Sequence, residues 1–261
     1  MLELRNISKT FNLGTINEKK ALVDLSLHLA PGDFATVIGG NGAGKSTMLN
    51  AIAGVWPIDG GQILIDGQDV TGLPEYRRAA LIGRVFQDPM MGTAPDMQIV
   101  ENLALAARRG KRRGLRWGVT ATEKLDYQGL LATLGLGLED RMTAKVGLLS
   151  GGQRQALTLL MAALQNPKLL LLDEHTAALD PATAAKVLEI SDQIVTETNL
   201  TALMITHNMT DALRHGNRLI MMNQGRIVFD VSGEEKKKLT KRDLLDAFAS
   251  VKDDTDAVLL S

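Results

Sequence analysis

The chain contains no cysteine, so it can form neither a disulfide framework nor a thiolate metal site. Aromatic residues make up only 3 % of its 261 residues, and its formal net charge is −1. A chain that is nearly neutral has no overall field that would attract nucleic acid or anionic lipid. The absence of cysteine is consistent with a reducing compartment but does not establish one.

Long hydrophobic runs are also missing. The longest ones, Leu157–Leu164 and Leu169–Leu172, fall well short of the roughly 18 apolar residues that a membrane-spanning helix needs. Glu3, Arg5 and Lys9 stand where a signal peptide would have its apolar core. We therefore expect a soluble, cytoplasmic protein that acts at a membrane only through a partner.

The pattern of apolar residues changes along the chain. The first third alternates between apolar and polar residues, as in "LELRNIS", whereas residues 87–155 have a helical pattern. The last third reads as strand "KLLLLDE", helix "PATAAKVLEISDQIVTET" and strand "LTALMIT", followed by a hairpin at Asn223-Gln224-Gly225 and a charged surface helix, "EEKKKLTKRDLLDAF". These patterns predict an α/β fold with a three-layer core, an antiparallel N-terminal sheet and an inserted helical subdomain at 87–155.

The segment "GGNGAGKST" has the spacing of a phosphate-binding loop, Gly39-x4-Gly44-Lys45-Ser46. Its glycines let the backbone wrap a polyphosphate with N–H groups pointing inward, while the lysine neutralises phosphates and the serine binds Mg²⁺. The predicted nucleotide-binding residues are Gly39, Asn41, Gly42, Ala43, Gly44, Lys45, Ser46 and Thr47, with Ser46 also a Mg²⁺ ligand. A plain glycine-rich turn is the alternative, but the buried strand "FATVIGG" before it and a helix after it favour phosphate binding.

The apolar strand "KLLLLDE" ends in two carboxylates, Asp173 and Glu174. In a phosphate-loop ATPase, an aspartate at this place holds Mg²⁺ and the next carboxylate polarises the attacking water. Acidic residues also begin many helices, so the pair would mean little alone. The phosphate loop makes the chemical interpretation the better one.

A second glycine turn, "LLSGGQRQA", begins at Leu148. The order of phosphate loop, Gln87, "LSGGQ", "LLLLDE", "ALD" and His207 resembles the ATP-binding subunits of ABC transporters. The resemblance covers residues 1–248 and leaves 249–261 as a C-terminal tail. It implies that the chain binds ATP and Mg²⁺, hydrolyses ATP, and powers transport through a separate permease.

In that family the second glycine turn closes over the ATP of another subunit. The resemblance therefore implies a head-to-tail dimer of two copies, in which Ser150, Gly151, Gly152 and Gln153 contact the partner's nucleotide. An ordinary helix N-cap is the alternative role of Ser150, and both roles can hold because a cap lies where helical N–H groups begin.

The remaining site residues rest on the resemblance alone, and each has a structural alternative. Gln87 matches the family's ligand of Mg²⁺ and the attacking water, or is a polar strand end. Asp180 matches an aspartate at the dimer interface, or is the N-cap before Pro181. His207 matches the histidine that contacts the γ-phosphate, or is structural. Phe11 matches the aromatic that stacks on adenine, or belongs to the core.

One residue departs from the family pattern. His175 stands where the family usually has proline, which leaves open a looser, pH-sensitive loop or a subgroup trait of little kinetic effect.

Arg108–Arg116 holds six basic residues in nine. Nucleic acid is one possible partner for that run, but sparse aromatics and the balanced charge favour a solvated helix end near anionic headgroups.

These residues lead to one expectation about function. We expect a bacterial importer subunit, peripheral on the inner face of the membrane, whose partners are a second copy, an integral permease and indirectly an extracytoplasmic binding protein. The sequence is similar to a subgroup associated with the uptake of amino acids, including aromatic ones. The alternatives are an export or extraction ATPase and a non-transport ABC ATPase that acts on nucleic acid or the ribosome; we expect no nucleic-acid partner.

Overall fold

A computed structural model of the chain describes residues 1–111 and 118–249. The chain divides into two units, one formed by Met1–Glu75 with the chain from Thr201 onward, and the other by Tyr76–Leu200.

The first unit contains an antiparallel sheet with the strand order β2-β1-β4-β5. Its leucines and isoleucines alternate with polar residues, and Leu2, Leu4 and Ile7 are fully buried or nearly so. This alternation places one face on the core and the other toward solvent. The strands are β1 (Leu2–Phe11), β2 (Lys19–Leu29), β4 (Gly60–Ile65) and β5 (Gln68–Asp69).

A second group of strands in this unit has the order β10-β9-β3-β8. The apolar strand β3 (Phe34–Gly39) runs parallel to both β8 (Thr201–Ile205) and β9 (Arg218–Asn223). The predicted hairpin joins β9 to β10 (Arg226–Ser232) through Gln224 and Gly225, both at positive φ. The helices of the unit are α1 (Lys45–Ala53), α7 (Met209–Arg214) and α8 (Gly233–Lys238). The predicted α/β class is confirmed.

The charged C-terminal segment is not one surface helix. Helix α8 ends at Lys238, and residues 241–249 form a separate helical stretch. Lys236 is 3 % exposed, and its ammonium donates to the carbonyl oxygens of His215 and Gly216. Leu244 is fully buried in an apolar cluster with residues of α7 and β9. The prediction of a single surface helix was wrong because Lys236 and Leu244, which lie within this charged segment, are buried and make tertiary contacts.

The second unit has two parallel strands, β6 (Ile82–Val85) and β7 (Leu169–Asp173), and most of the helices. Within 87–155, the described residues form helices, a short 3₁₀ turn at Val146–Leu148 and one isolated bridge from Gln98 to Lys145. The exact limits of the inserted subdomain stay a prediction. The helices are α2 (Glu75–Arg78), α3 (Ile99–Ala107), α4 (Ala121–Ala132), α5 (Gly151–Ala163) and α6 (Pro181–Thr198).

Helix α6 coincides with the predicted segment. It begins after Asp180, whose carboxylate accepts the N–H of Thr183, and its first residue is Pro181. It ends at Thr198, and the next residue, Asn199, adopts the left-handed conformation with φ 49°. These are local start and stop signals, so the sequence alone could locate them. Among the described residues, no helix combines the length and apolarity required to cross a bilayer.

Candidate functional site

The phosphate loop follows β3 and leads directly into α1. The residue before the helix is Gly44, at φ 101°, and no side chain caps the first turn of the helix. The first N–H groups of a helix lack intrahelical partners and carry partial positive charge. An uncapped N-terminus after a glycine-rich loop is therefore suited to hold an anion.

Gly44 lies where three backbone segments meet. A Cβ on this residue would lie 2.5 Å from the carbonyl oxygen of Ala21 in β2 and 3.2 Å from Cα of Gly225 in the β9–β10 turn. The N–H of Gly225 donates to the carbonyl of Ala43 over 2.9 Å, and the N–H of Val23 donates to the carbonyl of Gly225 over 3.0 Å. Only glycine fits this close approach at this φ.

Lys45 points back into the loop. Its ammonium donates to the carbonyl oxygens of Gly39 and Gly40 at 2.8 and 3.2 Å, and the residue is 5 % exposed. Ser46, in the same turn of α1, is exposed. A buried lysine held at the loop and an exposed hydroxyl beside it are compatible with the phosphate and Mg²⁺ roles predicted for them, and these roles stay predictions.

Phe11 is not a core residue. It is half-buried at the end of β1, and its ring meets the ring of Trp56 edge to face, with centroids 5.0 Å apart and an interplanar angle of 82°. The ammonium of Lys9 lies 5.6 Å from the Phe11 ring centroid and pairs with Asp59 at 2.9 Å. A partly exposed ring held by these neighbours is compatible with stacking on a base, which stays a prediction.

His207 emerges beside the phosphate loop in the sheet. It follows β8, whose Ile205 pairs with Val37 of β3, and the N–H of Thr206 donates to the Val37 carbonyl over 3.1 Å. The carboxyl ends of adjacent parallel strands are where ligands bind in α/β sheets. His207 is exposed there, as a γ-phosphate contact requires.

In the second unit, Gln87 and the paired carboxylates lie at the carboxyl ends of two neighbouring parallel strands. Val85 of β6 pairs with Leu172 of β7, so Gln87, just after β6, and Asp173, the last residue of β7, lie at the carboxyl ends of neighbouring parallel strands. Gln87 is exposed, and Gln155 of α5 donates to the carbonyl of Phe86 just before it, over 3.1 Å. This hydrogen bond ties the segment that carries Gln87 to the helix of the second glycine turn.

The carboxylates have different local settings. Asp173 lies 3.7 Å from the guanidinium of Arg84, a neighbour that the sequence did not indicate because it sits on the adjacent strand. Glu174 has φ 46°, in the left-handed region that a non-glycine residue rarely adopts. Such strain collects at functional sites, where the surrounding structure holds it.

His175 is buried rather than loosely held. It is 2 % exposed, and its Nε2 lies 3.0 Å from the hydroxyl of Ser191 in α6. The Ser191 hydroxyl in turn donates to the carbonyl of Val187 over 2.9 Å. The imidazole thus fastens the residue after Glu174 to a helix, which favours a structural role over a loose loop.

The second glycine turn starts α5 with a complete capping box. The Ser150 hydroxyl accepts the N–H of Gln153 at 3.3 Å, and the Gln153 amide oxygen accepts the N–H of Ser150 at 3.2 Å. Ser150 and Gly151 are exposed, whereas Gly152 is buried against Thr183 of α6. The capping role predicted for Ser150 is confirmed, and its contact with a partner's ATP stays a prediction.

Asp180 also acts as a cap. Its hydrogen bonds to Thr183, from the side chain and the backbone, hold the pKa of the carboxyl below its usual range. The residue is exposed, so it is equally accessible to a second subunit. Capping and a place at an interface are compatible here.

The basic run is only partly described, because 112–116 lie outside the described residues, as does the tail from 250 onward. Two of its arginines are engaged within the unit. Arg108 pairs with Glu123 at 2.9 Å, and Arg109 donates to the carbonyl of Ala162 over 3.0 Å. Burial lowers the pKa of Arg109. These two side chains brace helices, so they add little to a free cationic surface.

The oxygen chemistry of the predicted magnesium ligands fits the ion. The hydroxyl of Ser46, the amide of Gln87 and the carboxylate of Asp173 offer the hard donors that Mg²⁺ prefers. Among the described residues no group of three or more His, Cys, Asp or Glu could hold a metal by itself. Mg²⁺ is usually bound by one or two carboxylates together with substrate phosphates.

Parallel α/β strands with a phosphate loop at the end of β3 define a P-loop ATPase. Residues 22–177 match the family described as ABC transporter, and this is more than half of the 261-residue chain. The chain therefore belongs to the ABC transporter family, and it is an ATP-binding subunit that hydrolyses ATP.

Its relatives include ATP-binding subunits of transport systems. A tyrosine transport ATP-binding protein of Clostridioides difficile is 45 % identical over 95 % of this chain and 98 % of its own length. A methionine import ATP-binding protein of Bartonella henselae is 35 % identical over 100 % of this chain and 70 % of its own length.

Solved structures of ATP-binding cassettes have the same fold. A dimeric cassette in a post-hydrolysis state, bound to ADP and Pi, has a TM-score of 0.75 and 29 % identity over 89 % of this chain and 98 % of that one. The ADP conformation of a cassette from an ABC transporter has a TM-score of 0.77 and 27 % identity over 95 % of this chain and 98 % of that one.

Replacing Ser191 with alanine should lower the free energy of unfolding by about 1–3 kcal/mol, because it removes a buried hydroxyl partner from His175. Thr198→Ala is the matched control, since it removes an exposed hydroxyl that donates to the Ile194 carbonyl on the same helix. Chemical denaturation of both variants is the measurement. Equal stability of Ser191→Ala and the parent would refute the anchoring role of His175.

Proposed function

We propose that this chain powers the uptake of amino acids, with aromatic amino acids such as tyrosine as the first candidates. The observation that carries this proposal is the 45 % identity to a tyrosine transport ATP-binding protein over 98 % of that protein's length. The similarity to a methionine import ATP-binding protein supports the same broad class of cargo. Export is the alternative direction of transport, and none of the site features described above favours it.

The first unit would bind the nucleotide. The phosphates would lie against the loop from Gly39 to Thr47, with the N-terminus of α1 and Lys45 facing their charge. Ser46 would supply one ligand of Mg²⁺, and His207 would contact the γ-phosphate from the neighbouring strand. Phe11 would stack on adenine. The uncapped helix, the buried lysine and the exposed histidine support these roles.

The second unit would supply the side chains that act on Mg²⁺ and on the attacking water. Asp173 would hold Mg²⁺, and Gln87 would contact the ion and the attacking water. The Glu174 carboxylate would accept a hydrogen bond from that water and orient it toward the γ-phosphate. The location of Gln87 and Asp173 at the carboxyl ends of neighbouring parallel strands supports this assignment. The ion itself would neutralise charge on the phosphates during transfer.

A second copy of the chain would complete each site. Ser150, Gly151, Gly152 and Gln153 would approach the partner's γ-phosphate, and Asp180 would lie at the same interface. The exposure of Ser150, Gly151 and Asp180 supports this arrangement, as does the dimeric cassette among the solved relatives. An integral permease would anchor the dimer at the inner face of the membrane and receive cargo from an extracytoplasmic binding protein.

Glu174→Gln should bind ATP as the parent does but lose hydrolysis by several orders of magnitude, because the amide cannot polarise the water. Glutamine keeps the shape of the side chain at φ 46°, so the backbone need not change. Phosphate release and ATP binding are measured together, with Glu189→Gln on the exposed face of α6 as control. Parental turnover in Glu174→Gln would remove this residue from the mechanism.

Mixing two inactive variants should restore activity if the second glycine turn serves the partner's ATP. Lys45→Ala has a defective loop and an intact turn, whereas Ser150→Arg has an intact loop and a turn blocked by a bulky cation. A mixed dimer contains one complete site, and its opposite site carries both defects. Phosphate release from each variant alone and from the mixture is the measurement.

The loss of the α5 cap in Ser150→Arg is controlled by Ser150→Ala, which removes the same hydroxyl without adding bulk. Differential tags on the two chains establish that mixed dimers form. Mixed dimers that show no recovery would mean that the turn acts within its own chain or that both sites must be intact together.

Uptake by proteoliposomes tests the cargo. The chain, reconstituted with the permease and binding protein that co-purify with it, should accumulate labelled tyrosine only when ATP is present on the side of the ATPase. Labelled spermidine is the control cargo. ATP-driven release of tyrosine, or uptake of spermidine alone, would contradict import of amino acids.

A further inference from the structure

Lys19 is the first residue of β2 and the direct cross-strand partner of Phe11. Directly paired residues of antiparallel strands share a face of the sheet. The side chain proposed to stack on adenine and the Lys19 ammonium therefore lie on the same face, at the same end of the β1–β2 pair. Lys19 is exposed.

The ammonium of Lys19 reaches the phosphate loop. Its Nζ lies 3.4 Å from the position that a Cβ on Gly42 would occupy. Gly42 is in the middle of the loop, at φ 80°, and offers only backbone at this point. A cation on a neighbouring strand thus stands beside the bare backbone that the family uses to hold phosphates.

The charges around the loop leave this cation available. Lys19 forms no ion pair with the described residues, and the carboxylate of the preceding Glu18 accepts the N–H of Gly14 at 2.9 Å. Lys45, the lysine of the loop motif, is already directed at the carbonyls of Gly39 and Gly40. Lys19 is therefore a second, more exposed cation at the same loop.

We propose that Lys19 binds the phosphate chain of the nucleotide, an inference that rests on the proposed binding of ATP by the loop from Gly39 to Thr47. An ammonium on a flexible four-carbon stem is well suited to a phosphate oxygen as a point charge. The β1–β2 pair then holds the nucleotide at two places, the base through Phe11 and the phosphates through Lys19.

Lys19→Met keeps much of the length of the side chain and removes its charge, and Lys20→Met is the matched control. Lys20 is the next residue along β2, pairs with Thr10, and points to the opposite face because side chains alternate along a strand. ADP binding by isothermal titration should weaken about tenfold in Lys19→Met and stay at the parental value in Lys20→Met. Lys19→Arg should keep most of the affinity.

Adenosine separates a phosphate contact from a disturbance of the whole pocket. Its affinity, measured by competition, should be the same in Lys19→Met and the parent, because adenosine has no phosphate. The dependence of ADP affinity on salt should also be shallower in Lys19→Met.

Three outcomes would overturn the inference: parental ADP affinity in Lys19→Met, an equal loss in Lys20→Met, or a loss in Lys19→Arg as large as in Lys19→Met. Lys45→Ala, measured in parallel, tests the proposed nucleotide site itself. If Lys45→Ala loses ADP binding while Lys19→Met does not, only the role of Lys19 fails. Parental ADP affinity in both variants would reject the loop as the phosphate site.

Discussion

The contact of three backbones at Gly44 is the constraint on which the first unit depends. The phosphate loop, strand β2 and the β9–β10 turn approach so closely there that a single Cβ would meet Ala21 and Gly225 together. Two hydrogen bonds, from Gly225 to Ala43 and from Val23 to Gly225, fix the same junction. The antiparallel sheet is thereby fastened to the loop through its backbone. Side chains on the end of that sheet, including Phe11 and Lys19, thereby acquire fixed positions relative to the phosphate loop.

The two glycine turns of the chain have similar sequences, but the helices that follow them are capped differently. Helix α1 begins after a glycine with no capping side chain, so its N-terminal N–H groups are suited to a ligand within the unit. Helix α5 begins with the reciprocal Ser150–Gln153 box, so its N-terminus is stable without a ligand, and Ser150 and Gly151 are exposed. A site that is completed by another subunit needs an exposed helix N-terminus that is capped by its own residues, because the helix must stay folded when the partner is absent.

The sequence predicted those features whose causes are local. The strand–loop–helix order around Lys45, the limits of α6 and the β9–β10 turn follow from short-range spacing, caps and glycines. It did not predict the partners that topology brings together. Arg84 meets Asp173 because β6 and β7 pair, and Lys19 lies near Gly42 although the two residues belong to different elements of the chain. His175 and Ser191 are 16 positions apart, and no periodicity links them.

The setting of Glu174 shows how such a long-range contact can replace a local one. A left-handed φ at a glutamate costs roughly 1–2 kcal/mol and persists only if its surroundings fix the chain on either side. Strand β7 fixes the chain before it, since Leu169–Leu172 are fully buried. After it, the family resemblance predicts a proline, whose ring would restrict φ. Here a buried imidazole fastened to Ser191 of α6 stands in that place. The strained backbone of Glu174 is thus held by the buried strand before it and by the packing of His175 against α6 after it.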